Sequence, residues 1–137
     1  MKTSDAGLQA LEKREGKRNK AYKDTKGIWT IGVGHTGPNV YEGLAWTDQQ
    51  VEDALRDDVK IAEDCINKYV TVPLTQNQFD ALVSFIFNVG VMAFRRSTCL
   101  VRLNNKDYFG AGLGILKFEK NLELVSRRES EYNQFIS

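Results

Sequence analysis

Residues 15–36 read EGKRNKAYKDTKGIWTIGVGHT, and this run decides the architecture. Tyr22–Asp24, Ile28–Ile31 and Val33 are short pieces rich in β-branched and aromatic side chains. Thr25-Lys26-Gly27 reads as the hairpin turn between them. Gly32-x-Gly34 follows a strand but opens no helix, which removes the dinucleotide-binding reading of that spacing. Two acids frame the hairpin. Glu15 closes a helix expected over 4–15, which Ser4 or Asp5 can cap and Gly16 can end. Leu8, Leu11 and Glu15 share one face of that helix, so a carboxyl rides the apolar stripe. Burial and the negative end of the helix dipole both favour its protonated form, the state a general acid needs. Asp24 lies nine residues on, in a polar turn beside Lys23 and Lys26, which favour its ionised form. A carboxyl pair split in this way suits glycoside hydrolysis. Thr30 follows on the next strand, with a hydroxyl able to hold a water. Two acids at this spacing are, by themselves, also what unrelated surface carboxylates look like.

Outward from the hairpin, residues 37–46 (GPNVYEGLAW) read as a loop carrying Pro38 and Gly43. Thr47 and Gln50 form a capping-box pattern, and Val51, Leu55, Val59, Ala62 and Ile66 make an apolar stripe. One helix is expected over 47–68, long enough to join two lobes, with Pro73 beyond it. Thr75 and Gln78 repeat the capping device. Phe79–Val89 is apolar nearly all round, the mark of a central core helix, and Gly90 closes it. Further helices are expected near 97–104, 107–118 and 123–135, although Gly110, Gly112 and Gly114 disfavour the middle one. The whole is α+β.

Composition sets the outer limits. The chain has 137 residues, long enough for a core without staples, and a net charge of +1 that supplies no overall pull toward nucleic acid. The charge is segregated: residues 1–26 hold eight Lys/Arg against four acids, and residues 42–64 hold eight acids against Arg56 and Lys60. That pattern is either two solvated faces or a basic lobe that meets an anionic polymer. Cys65 and Cys99 are too far apart in sequence for a metal motif or a disulfide framework and read as two buried thiols; with one histidine, no metal site and no cofactor are expected. Residues 1–20 lack a signal-peptide core and no run approaches the ~18 apolar residues of a membrane span. Synthesis in the cytoplasm and no stable membrane insertion are the corresponding expectations.

The string EG-x5-YKDT-x-G-x-WTIG-x-GHT, from Glu15 to Thr36, strongly resembles the phage-type lysozymes, the muramidases or endolysins of bacteriophages. PLTQNQFDALVSFIFNVG over 73–90 is similar to the central core helix of that family, and AFRRST over 93–98 to the segment after it. Arg127-Arg128-Glu129 resembles its closing helix. The resemblance implies a lysozyme-like fold: a small hairpin-containing N-terminal lobe and a mostly helical C-terminal lobe, joined by a long helix, with the active-site cleft between them. A single lysozyme domain then spans 1–137, with the first helix at 4–15, the β lobe at 16–46, the linking helix at 47–68 and the helical lobe at 73–137. The tail is shorter than the family pattern, with Phe118 where a Trp is expected.

The resemblance further implies that Glu15 is the general acid, that Asp24 activates or orients a water, and that Thr30 positions it, with inversion at the anomeric carbon. The substrate would be the β-1,4 bond between N-acetylmuramic acid and N-acetylglucosamine in peptidoglycan glycan strands. Thr36, Phe87, Asn88 and Ser97 match groove-lining positions, while His35 and Tyr22 match residues that brace the cleft. Phe87 is otherwise plain core, and Asn88 either closes an internal hydrogen bond or meets a sugar. Trp29 and Trp46 read as packing. A monomer, held in the host cytoplasm until a holin-type pore releases it to the periplasmic wall, completes the implied picture. Three other readings compete: a wall-binding module without catalysis, a lytic transglycosylase, and membrane disruption by residues 117–135. In that last segment Lys117, Lys120, Arg127 and Arg128 are nearly cancelled by Glu119, Glu123, Glu129 and Glu131.

Overall fold

The computed structural model describes residues 1–118 and 121–137, and of 122 and 123 the backbone alone. Glu119 and Lys120, weighed above as part of a cationic helix, lie outside the described residues, as does the side chain of Glu123. The elements run α1 (Asp5–Glu15), β1 (Arg18–Lys23), β2 (Trp29–Gly32), α2 (Asp48–Asp58), α3 (Lys60–Tyr69), α4 (Gln76–Val89), α5 (Val91–Arg95), α6 (Thr98–Asn104), α7 (Tyr108–Leu116) and α8 (Leu122–Ile136). They fall into two units, one of Leu8–Lys60 and one of Met1–Gly7 with Ile61–Ser137.

In the first unit β1 and β2 form an antiparallel pair with Tyr22 opposite Thr30 and Lys23 opposite Trp29, and an irregularity between Arg18 and Tyr22. The other edge of β1 is covered by part of the expected loop. The Ala21 amide donates to Leu44 O (2.9 Å), and the Trp46 amide to Asn19 O (2.8 Å). Lys17 pairs with Asp48 at 2.7 Å, and the Asn19 amide group donates to Trp46 O and Asp48, both at 3.0 Å. The edge is thereby closed to further strand pairing. Gly32 sits at φ +65, and a β-carbon there would stand 3.2 Å from the Trp46 ring. Only glycine meets both the backbone conformation and the close approach. Ile31, Val33, Val51 and Leu55 are buried in this unit.

The single helix expected over 47–68 is two helices. Thr47 caps α2 through the capping box with Gln50, but the helix stops at Asp58, and α3 begins after Val59. Adjacent aspartates at the end of α2 face the negative end of its dipole, and Asp58 is drawn aside to His35 at 2.7 Å. Val59 retains a bond to Leu55 O (3.0 Å), so the interruption is one residue long.

In the second unit α4 carries eight consecutive buried residues, Phe79 to Ile86, including the polar Asp80 and Ser84. Asp80 accepts the Ser4 amide (3.0 Å), the Ser4 hydroxyl and Gln76 Nε2 (2.8 Å), and Ser4 in turn caps Gly7 (3.0 Å). A β-carbon at Gly7 would stand 2.5 Å from Asp80 Cγ, so the glycine is required for this contact. On α8, Arg128 and Glu131 are fully buried and paired with one another. Glu131 also accepts the Ser84 hydroxyl (2.5 Å) and Arg127 Nε (3.2 Å). Burial of two charges costs several kcal/mol each unless they are paired and hydrogen-bonded, and these contacts engage both carboxylate oxygens of Glu131.

Helix α7 forms despite its glycines, and packing gives the reason. A β-carbon at Gly114 would stand 3.0 Å from the Cys99 backbone on α6, and one at Gly112 would stand 3.3 Å from Phe135 on α8. The glycines that weaken the helix let its neighbours approach. Helix α5 had no expectation attached. It starts directly on Gly90 (φ +92), without a side-chain cap.

Two outcomes are expected. Gly114→Ala overpacks the α6–α7 contact and lowers unfolding free energy by about 1–3 kcal/mol in urea titration, against the small gain of a typical Gly→Ala change in a helix. Burial pushes the Cys99 thiol from 9.0 up to about 12, so it ionises more readily unfolded than folded. The stability associated with it is fully present below about pH 9 and is lost as pH rises toward about 12. The urea midpoint of the wild type should fall more steeply over that window than that of Cys99→Ala.

Candidate active site

The Asp24 carboxylate is fixed by the backbone of its own turn. Its Oδ1 accepts the amides of Lys26 (2.8 Å) and Ile28 (2.9 Å). The Asp24 amide donates to Ile28 O (2.9 Å), and the Gly27 amide to Asp24 O (3.0 Å). Gly27 takes φ +79, the left-handed conformation this turn needs. Asp24 Oδ2 accepts no hydrogen bond among the described residues, so a lone-pair face remains for water. The turn was legible as D-T-K-G, a sequence in which an aspartate bonds its own backbone.

Thr30 is buried, opposite Tyr22, and its hydroxyl donates to Ile28 O at 3.0 Å. With the hydroxyl proton committed, the oxygen of Thr30 acts as an acceptor. Asp24 and Thr30 are therefore joined through the backbone of one residue: the Ile28 amide donates to the first and its carbonyl accepts from the second. Sequence reading did not single out Ile28, because its side chain, 47 % exposed, takes no part.

Glu15 is the last residue of α1 and is half-buried. Gly16 follows at φ +82, its amide bonded to Glu12 O at 2.7 Å, and turns the chain into β1. Glu15, Asp24 and Thr30 thus lie in one unit, on the end of α1, in the turn after β1 and on β2. Beside the helix end is a cavity of about 360 Å³, lined by Gln9, Glu12, Lys13, Gly16 and Lys17.

His35 joins Ile31 in a short bridge, holds Asp58 Oδ2 through Nδ1 at 2.7 Å, and lies 5.3 Å from the Trp46 ring. Those contacts give it a bracing role within the unit. Thr36 follows it and is exposed. Tyr22 lies under the guanidinium of Arg18 at 4.4 Å.

The remaining groove candidates are in the other unit. Phe87 is half-buried and Asn88 exposed, both at the end of α4. Asn88 Oδ1 accepts Arg128 NH2, a bond that does not use its amide hydrogens. Ser97 is buried; its hydroxyl donates to Phe94 O (2.7 Å) and caps α6 by accepting the Leu100 amide (3.2 Å). Both hydrogen-bonding functions of Ser97 are engaged in the fold. Among the described residues, no group of three His, Cys, Asp or Glu side chains could hold a metal ion, and no helix is long and apolar enough to cross a membrane.

Comparison with known proteins gives concordant results. A family model described as phage lysozyme matches residues 12–131. The endolysin of Salmonella phage P22 is 43% identical over 145 residues, covering 100% of this chain and 99% of the relative. That alignment is longer than the chain of 137 residues, so the relative has positions without a counterpart here. A crystal structure of a P22 lysozyme variant superposes with a TM-score of 0.93 at 41% identity, covering 100% of this chain and 99% of that one. The muramidase domain of SpmX from Asticaccaulis excentricus gives a TM-score of 0.90 at 37% identity, covering 99% and 98%.

The turn geometry predicts a separation of roles at Asp24. Asp24→Ala removes the acceptor for two amides and should lower stability by roughly 1–2 kcal/mol. Asp24→Asn retains Oδ1 as acceptor and should melt close to the wild type. Thermal unfolding of the two variants side by side checks this, and equal melting would refute the clamp.

Proposed function

The chain belongs to the phage lysozyme family, and from that premise we propose how its residues cleave the glycan. The protein is a glycoside hydrolase, an endolysin that hydrolyses peptidoglycan. The bond broken is the β-1,4 link between N-acetylmuramic acid and N-acetylglucosamine. Glu15, in its protonated form, donates its proton to the glycosidic oxygen as the C–O bond breaks. A water held between Asp24 Oδ2 and the Thr30 oxygen attacks the anomeric carbon from the opposite face. Asp24 takes the water's proton, and the product is a reducing sugar of inverted configuration. The two carboxyls of an inverting pair stand roughly 6.5–9.5 Å apart to admit that water.

The observation that supports this assignment is the coupling of Asp24 and Thr30 through Ile28. It offers two acceptors, each with its geometry already committed on the protein side. A water donating one hydrogen to each has its lone pair aimed away from the hairpin. Thr36 and the amide hydrogens of Asn88 are the polar contacts we assign to the sugars, with Phe87 as an apolar one. Ser97 shapes its segment through the α6 cap and contacts sugar only if that cap opens. His35 and Tyr22 hold the hairpin's form. The enzyme works as a monomer without a cofactor. It is held in the host cytoplasm until a pore-forming partner of holin type lets it reach the wall in the periplasm.

Glu15→Gln keeps the side-chain shape and removes the transferable proton. Clearing of chloroform-treated Gram-negative cells should fall by about 10²–10⁴-fold. The wild-type product should carry a reducing end. A 1,6-anhydro end would replace hydrolysis with transglycosylation, and equal clearing by both proteins would overturn the assignment of Glu15.

A further inference from the structure

The two cations that lie over aromatic rings of the hairpin stand on opposite sides of β1. Paired residues project from the same side of a sheet, and successive residues alternate. Tyr22 is paired with Thr30, so its ring is on the side that carries the Thr30 hydroxyl. Lys23 is paired with Trp29 on the other side and lies 5.4 Å from the centre of that ring. Arg18 belongs with Tyr22. Between the pairs Arg18–Gly32 and Tyr22–Thr30, β1 takes four steps where β2 takes two. The strand is bunched there, and the Arg18 guanidinium lies over the Tyr22 ring, 4.4 Å from its centre. Arg18 is exposed and makes no ion pair among the described residues, whereas its neighbour Lys17 is spent on Asp48. Tyr22 is half-buried, and its hydroxyl makes no hydrogen bond among the described residues. The stacked guanidinium is thus the polar group that orients the ring.

We infer that Arg18 is a positioning residue for the hydrolytic step. Stacked on Tyr22, it holds that ring against the Thr30 side chain and so leaves the attacking water one approach to the Thr30 oxygen, the approach from Asp24. The inference rests on the reading of Asp24 and Thr30 as the pair that holds this water. Cross-strand partners stand with β-carbons about 4.5–5.5 Å apart, so a tyrosine ring reaches the side chain opposite it. Thr30 is 4 % exposed, and its hydroxyl proton is given to Ile28 O. Its oxygen serves a water through the lone pairs left over. A ring free to swing would open that oxygen to waters that lack the line of attack. A guanidinium over the ring narrows its motion without occupying either the Thr30 oxygen or Asp24. A misplaced water costs rate and leaves saccharide binding as it was.

Steady-state hydrolysis of soluble peptidoglycan strands tests this, with the folding of each variant checked by thermal unfolding. Arg18→Gln should lower kcat about two- to fivefold, the range an exposed cation–ring contact supports, while KM stays within about twofold of the wild type. Arg18→Lys keeps a cation over the ring and should recover most of kcat. In a Tyr22→Leu background, which already lacks the ring, Arg18→Gln should cost nothing further. An unchanged kcat overturns the inference. So does a loss carried by KM alone, which would make Arg18 a contact to the glycan itself. Equal losses with and without the tyrosine ring also overturn it, since the cation would then act by its charge and not through Tyr22. Failure of the underlying reading has its own signature: Thr30→Val would keep the wild-type kcat, whatever Arg18→Gln does.

Discussion

The helical unit is organised around a carboxylate with no access to water. Glu131 on α8 is met by Arg128 and Arg127 from its own helix and by the Ser84 hydroxyl from α4. Burying such a charge is tolerable only when it is neutralised and its lone pairs are filled, so the two helices have few alternative registers. Apolar packing alone would be far less selective, because α4 is hydrophobic on nearly every side. The same cluster reaches Asn88 through Arg128, and so the end of α4 inherits its geometry. Phe85 lies beneath the Arg128 guanidinium at 5.1 Å and edge-on to Phe118 at 5.1 Å, closing the apolar side of the pair.

The hairpin unit obeys a different logic. Here the polar groups are satisfied locally, by residues two to four positions away, and the tertiary demands fall on a few side chains. Lys17 and Asn19 tie the start of β1 to the beginning of α2, and Trp46 fills the space that Gly32 leaves. The pairing with Lys17, together with the bond from Asn19, holds the Asp48 carboxyl below its usual range. The contact is open to solvent, so it sets orientation more than stability.

What could be read from residues alone follows from this contrast. The hairpin, the α1 stop at Gly16, both capping boxes and the Asp24 turn are written in short-range chemistry, and each was legible. Helix α7 was harder, since the purpose of Gly112 and Gly114 lies in partners on α6 and α8 that no local pattern names. The break at Val59 escaped for a related reason: the apolar stripe runs straight through it, while the pull on Asp58 comes from His35, far back in the chain. In the candidate site the side chains were legible and the backbone was not. Glu15, Asp24 and Thr30 carry recognisable chemistry, whereas Ile28 contributes only its backbone amide and carbonyl, and the Arg128–Glu131 pair lies in a stretch legible as the family's closing helix but not as a buried ion pair.

Ile28 therefore separates two kinds of constraint that usually travel together. Its side chain projects toward solvent, while its amide and carbonyl hold Asp24 and Thr30 in step. The position is indifferent to most of the genetic alphabet and closed to proline, which lacks the required hydrogen. Among descendants of such a chain it would drift freely in identity while its geometry stayed fixed. A residue of that kind is invisible to any search for invariant side chains, yet it offers a handle for attaching new chemistry within a few bonds of the proposed catalytic pair.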